Sequence, residues 1–269
     1  LSDRLDIARS TAGRRVDSLI ERGMIREKGV ESRDTVGRPR RFLELVGDFG
    51  AFVGMDFDAQ YIHGAVINFA QNIVAKQTVS LPANPDAGTV LRNLRSLGQK
   101  LEDRVRPLNV LGVGIAVPGR INRAKRLGVN FPDIQNWQNV PLSNGMHLSR
   151  ERLAIETNAR AGALGEYWFG NRKNFENLVS LNIRAGISAA VVSNGKLIIG
   201  RNEMAGEIRG WPAWPPKQLP GSGGYQEHWI ENLATVKAIT SEVEGSSSDE
   251  KQAWRNFAKA CSEGNSESL

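Results

Sequence analysis

Two groups of arginines near the N-terminus carry the chemistry most directly readable in this chain. Arg9, Ser10 and Thr11, followed by Arg14 and Arg15, open an apolar-periodic stretch. Guanidinium and hydroxyl donors at the start of a helix are the groups that reach phosphates and base edges in a major groove. The second group runs from Arg33 to Arg41, where Arg33, Arg38, Arg40 and Arg41 against Asp34 leave a net +3. Within it, Gly37-Arg38-Pro39-Arg40-Arg41 keeps the backbone slim and offers planar donors suited to phosphates or a minor groove. A net charge of +6 and a pI near 9.7 permit attraction to nucleic acid, but only this clustering argues for it. Other chemistries find less support. With one cysteine, Cys261, neither an internal disulfide nor a thiolate zinc cluster is available. His63, His147 and His228 are scattered without metal-ligand spacing, so structural roles are expected and no metal.

The elements that must position the arginines follow from the local pattern. Leu1–Leu5 reads as the end of a helix and Asp6-Ile7-Ala8 as a tight connection. Arg9-Ser10-Thr11 opens a second helix with Ser10 as its N-cap; Val16, Leu19 and Ile20 form its apolar face. Gly23 closes the helix, and the strands Met24–Glu27 and Phe42–Leu45 flank the basic run as a hairpin wing. A solvated helical hairpin with a charged loop competes with this reading. The order helix, turn, basic helix, glycine, strand, basic wing, strand favours a winged helix-turn-helix over residues 1–45. The first helix of such a unit is expected to be missing from the sequence, which starts inside the motif.

Further along, residues 52–57, 61–67 and 73–79 read as an antiparallel meander. Residues 87–105 carry Val90, Leu94, Leu97, Leu101 and Val105 at helical spacing, and residues 110–119 form a buried strand running into a turn. After a loop, residues 149–153 read as helix, 154–156 as a short strand and 159–170 as an Ala/Gly-rich helix. Strands are expected at 178–183 and 189–193, the latter ending in an Asn194-Gly195 hairpin. Residues 210–224 read as loop, and 225–240 and 250–261 as helices. No apolar run reaches membrane-spanning length and the start is polar, so a cytoplasmic protein is expected.

Five blocks in this order resemble the ROK family (repressors, open reading frames and kinases), in particular its regulator branch. They are Gly37-Arg38-Pro39; Gly112 to Gly119; Asn130-Phe131-Pro132 with Trp137 and Val140-Pro141-Leu142; Glu156 to Glu166; and Asn194 to Leu197 with Ala205-Gly206-Glu207-Ile208. The resemblance implies an α/β fold: the winged helix-turn-helix, then an actin-like, two-lobed sugar-kinase domain with ligand held between its lobes. The lobes are expected at 46–150 and 151–269; residues 241–269 are not expected to match the family's closing part, so the second lobe is either cut short or completed by a further segment.

The resemblance also implies where the chain departs from an active kinase. The first phosphate loop, Asp-x-Gly-Gly-Thr in the family, is Asp56-Phe57-Asp58-Ala59-Gln60, with a carboxylate that would repel phosphate. The second, a glycine-rich run, is Arg184 to Ala190 with only Gly186 kept. Asn158 stands where an aspartate would take the proton of a sugar hydroxyl, and Thr157 replaces a sugar-binding asparagine. Gly210 replaces the zinc-binding histidine, and residues 219–225 lack the cysteines, so no metal and no cofactor are expected. Asn130, Thr157, Asn158, Glu207 and Glu227 match ligand-contacting positions, with surface or helix-capping roles competing at Glu207 and Glu227. Trp211 and Trp214 suit stacking on a sugar face or, equally, a packed plug or partner surface.

The resulting expectation is a catalytically inactive regulator, a repressor, that binds a double-stranded DNA operator as a homodimer or tetramer and senses a sugar-like molecule. An atypical ATP-dependent sugar kinase and a protein-partner scaffold are the competing functions.

Overall fold

A computed structural model describes residues 2–30, 41–143, 152–170, 175–213, 217–218, 225–226, 229–241 and 250–262. The chain divides into two compact units, Leu1–Glu156 and Thr157–Leu269.

In the first unit, helix α1 (Ser2–Leu5) turns into α2 (Arg9–Glu21), followed by strands β1 (Ile25–Val30) and β2 (Arg41–Leu45). The turn uses Asp6 at φ 50°. The start of α2 differs from the expectation: Ala8 holds the cap position without a side-chain bond, so Ser10 lies inside the first turn. The end of α2 is as the glycine implied. Gly23, at φ 71°, donates to Ile20 O at 2.8 Å and Met24 donates to Leu19 O at 3.0 Å, a closure that needs a left-handed residue. The two strands pair antiparallel from Ile25↔Leu45 to Val30↔Arg41, with a bulge at Glu27/Gly29.

A single turn of 3-10 helix, Gly47–Phe49, leads to the main sheet. Strands β3 (Ala51–Phe57), β4 (Tyr61–Asn68) and β5 (Ile73–Ser80) form the meander; α3 (Ala87–Val105) crosses over, and β6 (Val110–Val117) returns parallel to β3. The period-two pattern of β3 buries Ala51, Val53, Met55 and Phe57 on one face. The helical spacing of α3 buries Val90, Leu94, Leu97, Leu101 and Val105 against that sheet. Helix and sheet touch closely at Gly64, where a Cβ would sit 2.6 Å from Leu101 Cδ1. Asp86 caps α3 by accepting from Thr89 N at 2.7 Å; the Thr89 side-chain hydrogen bond, followed by this main-chain one, holds its carboxyl below the usual aspartate range.

Three short strands appear where the sequence read as loop: β7 (Arg120–Asn122), β8 (Leu127–Asn130) and β9 (Gln138–Pro141), in one antiparallel sheet. Trp137 anchors them. It is buried, its ring centroid lies 5.2 Å from that of Phe57, and Gly128 leaves room for the indole. The expected helix at 149–153 falls partly outside the described residues; Leu153 already begins β10 (Leu153–Thr157), the outer strand of the sheet beside β6.

The second unit opens at Thr157, whose extended backbone precedes α4 (Asn158–Phe169). This helix packs on β11 (Leu178–Ile183) and β12 (Ile187–Ser193), and β12 turns through Asn194 and Gly195, both left-handed, into β13 (Lys196–Leu197). The loop expected at 210–224 contains β14 (Lys217–Gln218), which pairs with β15 (Tyr225–Gln226). The helix expected at 225–240 is therefore not continuous. It becomes α5 (Ile230–Ala234) and α6 (Val236–Ser241), separated by an extended Thr235. Thr235 Oγ1 accepts from Ala238 N at 3.2 Å, so this side chain starts a new helix rather than continuing the old one. Helix α7 (Glu250–Ser262) agrees with the helix expected at 250–261. Among the described residues no helix is long and apolar enough to cross a membrane.

Candidate nucleic-acid interface and ligand site

On α2, Arg9, Ser10, Arg14 and Arg15 are exposed and Thr11 is half-buried. Ser10, Arg14 and Asp17 share the outward face, opposite the stripe of Val16, Leu19 and Ile20. No residue of α2 is fully buried. Its apolar stripe instead borders an open pocket of about 270 Å³ lined by Leu5, Val16, Leu19, Ile25 and Leu43, with the exposed Arg15 also among its lining residues.

The hairpin brings together cations that the sequence reading passed over. Arg26 and Lys28 contact the Glu44 carboxylate at 2.6 and 3.0 Å, and the hydrogen bond from Lys28, followed by that from Arg26, holds it below the ordinary range. Arg41 pairs with Glu27 at 2.6 Å. The alternation Arg26-Glu27-Lys28 facing Arg41 and Glu44 was the available signal. Arg38 and Arg40 lie outside the described residues.

The β3–β4 turn shows what the first altered loop does. Asp58 Oδ1 accepts from Gln60 N at 2.7 Å and Tyr61 N at 2.8 Å, while Asp58 N donates to Tyr61 O at 3.1 Å. Adjacent main-chain amides of this kind are phosphate donors when vacant; here the carboxylate of the same turn takes them. Asn130, the end of β8, is exposed in this unit; the left-handed Gly119 lets its carbonyl approach closely.

In the second unit Thr157 is buried, and Asn158, the first residue of α4, is half-buried with its Oδ1 sealed from solvent. Glu207 follows a loop that sequence reasoning named only at its end. Ala205 N donates to Ile199 O at 3.1 Å, Glu207 N to Met204 O at 3.2 Å, and Ala189 N to Gly206 O at 2.8 Å, docking the loop on β12. Arg160, two residues beyond Asn158, reaches the same loop. It was not foreseen, although an arginine among Ala159, Ala161, Gly162 and Ala163 on a core-facing helix position was a visible oddity. The second altered loop is folded on itself: Arg184 N donates to Gly186 O at 2.9 Å, and Val236 N to Arg184 O at 3.0 Å.

Gly210 is exposed with open space around it, and no group of three His, Cys, Asp or Glu side chains able to hold a metal occurs among the described residues. Trp211 is exposed, with its main chain tied to Ile208 and Ile230. Glu227, Trp214, His147 and His228 lie outside the described residues; His63 contacts Thr78 at 3.0 Å.

Comparison with known proteins agrees with this architecture. The profile of the ROK family matches residues 52–268, so residues 241–268, expected not to match the family, lie within it. The xylose repressor of Caldicellulosiruptor bescii is 28% identical over 261 residues, 95% of this chain and 65% of that protein. The glucokinase of Thermotoga maritima is 37% identical over 100 residues, 36% of this chain and 31% of that one. Among solved structures, a ROK family transcriptional regulator, homolog of the E. coli MLC protein, superposes with a TM-score of 0.69 at 22% identity, covering 90% of this chain and 61% of its own. A ROK family glucokinase from Streptomyces griseus, in complex with glucose and AMPPNP, gives 0.63 at 20%, covering 81% and 73%. The chain therefore spans about two thirds of the length of the repressor it matches, and its sheet-rich α/β fold is that of sugar-kinase-like structures.

Proposed function

The chain belongs to the ROK family, and from that premise we propose that it is a DNA-binding transcriptional repressor whose sugar-kinase-like domain senses a ligand without transferring phosphoryl groups. The observation that carries this reading is the segment ahead of residue 52. The family match begins there. The alignment with the xylose repressor nevertheless takes in 95% of the chain, and the regulator structure covers 90% of it against 81% for the glucokinase. That segment holds helix, turn, helix and basic hairpin, the order of a winged helix-turn-helix. In this reading Arg14 and Ser10 face base edges. Arg9, Thr11, Arg15 and the hairpin residues Arg38, Arg40 and Arg41 hold phosphates.

A two-fold homodimer would set two such helices on half-sites about one helical turn apart. The ligand is a sugar, with D-xylose the first to test given the names of the repressor relatives. Asn130, Thr157, Asn158, Glu207 and Glu227 are its contacts, and its binding shifts the population between DNA-competent and DNA-incompetent forms. The protein works in the cytoplasm, with its operator. A kinase reading has relatives too, but it asks for a base where Asn158 stands and for phosphate-binding amides that Asp58 already engages.

The test is selection from a random DNA pool at near-physiological salt, with and without D-xylose. Enrichment of a two-fold symmetric motif, released by the sugar, is the expected result. Weak, sequence-blind and salt-sensitive binding alone would overturn the repressor reading.

A further inference from the structure

Arg160 is a buried charge that DNA reading leaves unused. It is the third residue of α4 and 1% exposed. A guanidinium removed from water must be repaid with hydrogen bonds. Its Nη2 donates to three main-chain carbonyls: Glu203 O at 2.7 Å, Ala205 O at 3.0 Å and Ile199 O at 3.4 Å. All three belong to the loop that delivers Glu207. That loop passes through three left-handed positions, Gly200 at φ 77°, Glu203 at 58° and Gly206 at 89°. Repeated left-handed residues turn carbonyls inward instead of along a regular ladder. The inward oxygens form the kind of cup that takes a cation, and the guanidinium is the resident cation. Arg160 itself is anchored by α4, whose first residue is Asn158 and whose preceding residue is Thr157. One side chain therefore ties the helix end bearing Asn158 to the loop bearing Glu207.

The geometry points to Arg160 as a positioning residue for the ligand site, fixing Glu207 relative to Asn158 and Thr157. The inference rests on the reading that these residues contact the sugar. A hydroxyl-binding carboxylate must be placed to within a fraction of an ångström to discriminate between sugars, and loops achieve this only when tied to rigid elements. Arginine suits the task because it keeps its charge at every physiological pH.

The test compares wild type, Arg160→Lys, Arg160→Leu and Glu207→Gln in the whole protein. Hydrogen exchange is followed at the amides of Ala189, Ala205 and Glu207, with Val53 and Ile115 in the other unit as internal references. D-xylose binding is measured by calorimetry. In Arg160→Leu, the two loop amides and the β12 amide of Ala189 that holds the loop should exchange at least tenfold faster while the references stay unchanged, and D-xylose should bind at least tenfold more weakly. Arg160→Lys should recover part of both effects, because its ammonium keeps the charge and three donors on a slightly shorter stem. Wild-type exchange in Arg160→Leu would refute the clamp. Faster exchange with unchanged D-xylose affinity, while Glu207→Gln abolishes binding, would overturn the positioning role and leave the ligand reading standing. Full D-xylose binding by Glu207→Gln would instead remove the ligand reading, and the positioning role with it.

Discussion

Replacing Gly206 by alanine should be among the more damaging single-methyl additions in this protein. Gly206 sits at φ 89°, and a Cβ built there would lie 1.9 Å from Ala189 O and 2.8 Å from Ala189 C. Carbon contacts settle near ~3.5 Å, so the main chain must withdraw by more than about 1 Å. That movement breaks the bond from Ala189 N to Gly206 O, 2.8 Å long, at a residue that is 8% exposed. The left-handed backbone alone costs an alanine about 1–2 kcal/mol. Leaving the buried pair unmade adds about 1–3 kcal/mol. The expected loss is therefore about 2–5 kcal/mol, read by urea unfolding followed on the tryptophan fluorescence. Gly195→Ala is the control. It has a similar φ of 73°, but its Cβ meets only the flexible end of Tyr167 at 3.1 Å, so it should lose only the backbone part. Equal losses at the two positions would show that the close approach to β12 has no energetic weight, and the account of how Glu207 is held would fail.

Other outcomes follow from the same structure. Arg14→Ala should relax base preference with little change in the salt dependence of DNA binding. Arg40→Ala should weaken binding to all sequences and lower the salt slope by about one; indistinguishable salt titrations would refute the division of labour. Glu27→Gln removes the partner that holds Arg41 at 2.6 Å, so low-salt DNA affinity should rise, and unchanged affinity in a gel-shift titration would remove Arg41 from the phosphate contacts. Leu101→Ala, at a position with no exposed surface, should cost about 2–5 kcal/mol by denaturant titration. Asp86 has a lowered pKa in the folded chain, so its contribution is complete above the ordinary aspartate value and disappears as the pH falls through the folded one. Asp86→Asn should accordingly flatten the acid limb of the thermal-midpoint profile and change little at neutral pH.

What the sequence disclosed and what it hid separate along physical lines. Periodic burial was legible: the spacing of Val90, Leu94, Leu97, Leu101 and Val105 located α3 and its core face together. Local backbone chemistry was legible where it depends on one residue, as at Gly23 and Asn194-Gly195. Short strands whose order comes from a distant anchor were not, since β7 to β9 depend on Trp137 packing near Phe57. A helix interrupted by its own side chain was equally opaque at Thr235. Within the candidate ligand site, residue identities at Thr157, Asn158 and Glu207 could be matched one by one. The clamp from Arg160 could not, because its three partners are carbonyls, which every residue carries and no sequence distinguishes. At Asp58 charge sign alone suggested repulsion of phosphate, whereas the folded turn shows a carboxylate employed as an acceptor.

If the domain is the sensor proposed above, that turn bears on how readily it would bind phosphate. A carboxylate carried by the same four residues as the amides it occupies competes at the effective concentration of a tethered group, which for short tethers reaches the millimolar range and above. A free nucleotide must outbid it afresh at each encounter and also overcome like-charge repulsion. Under the proposed sensor reading, an aspartate placed at position 158 would supply a proton acceptor while leaving Asp58 on the Gln60 and Tyr61 amides, so phosphate binding at this turn would need a second change.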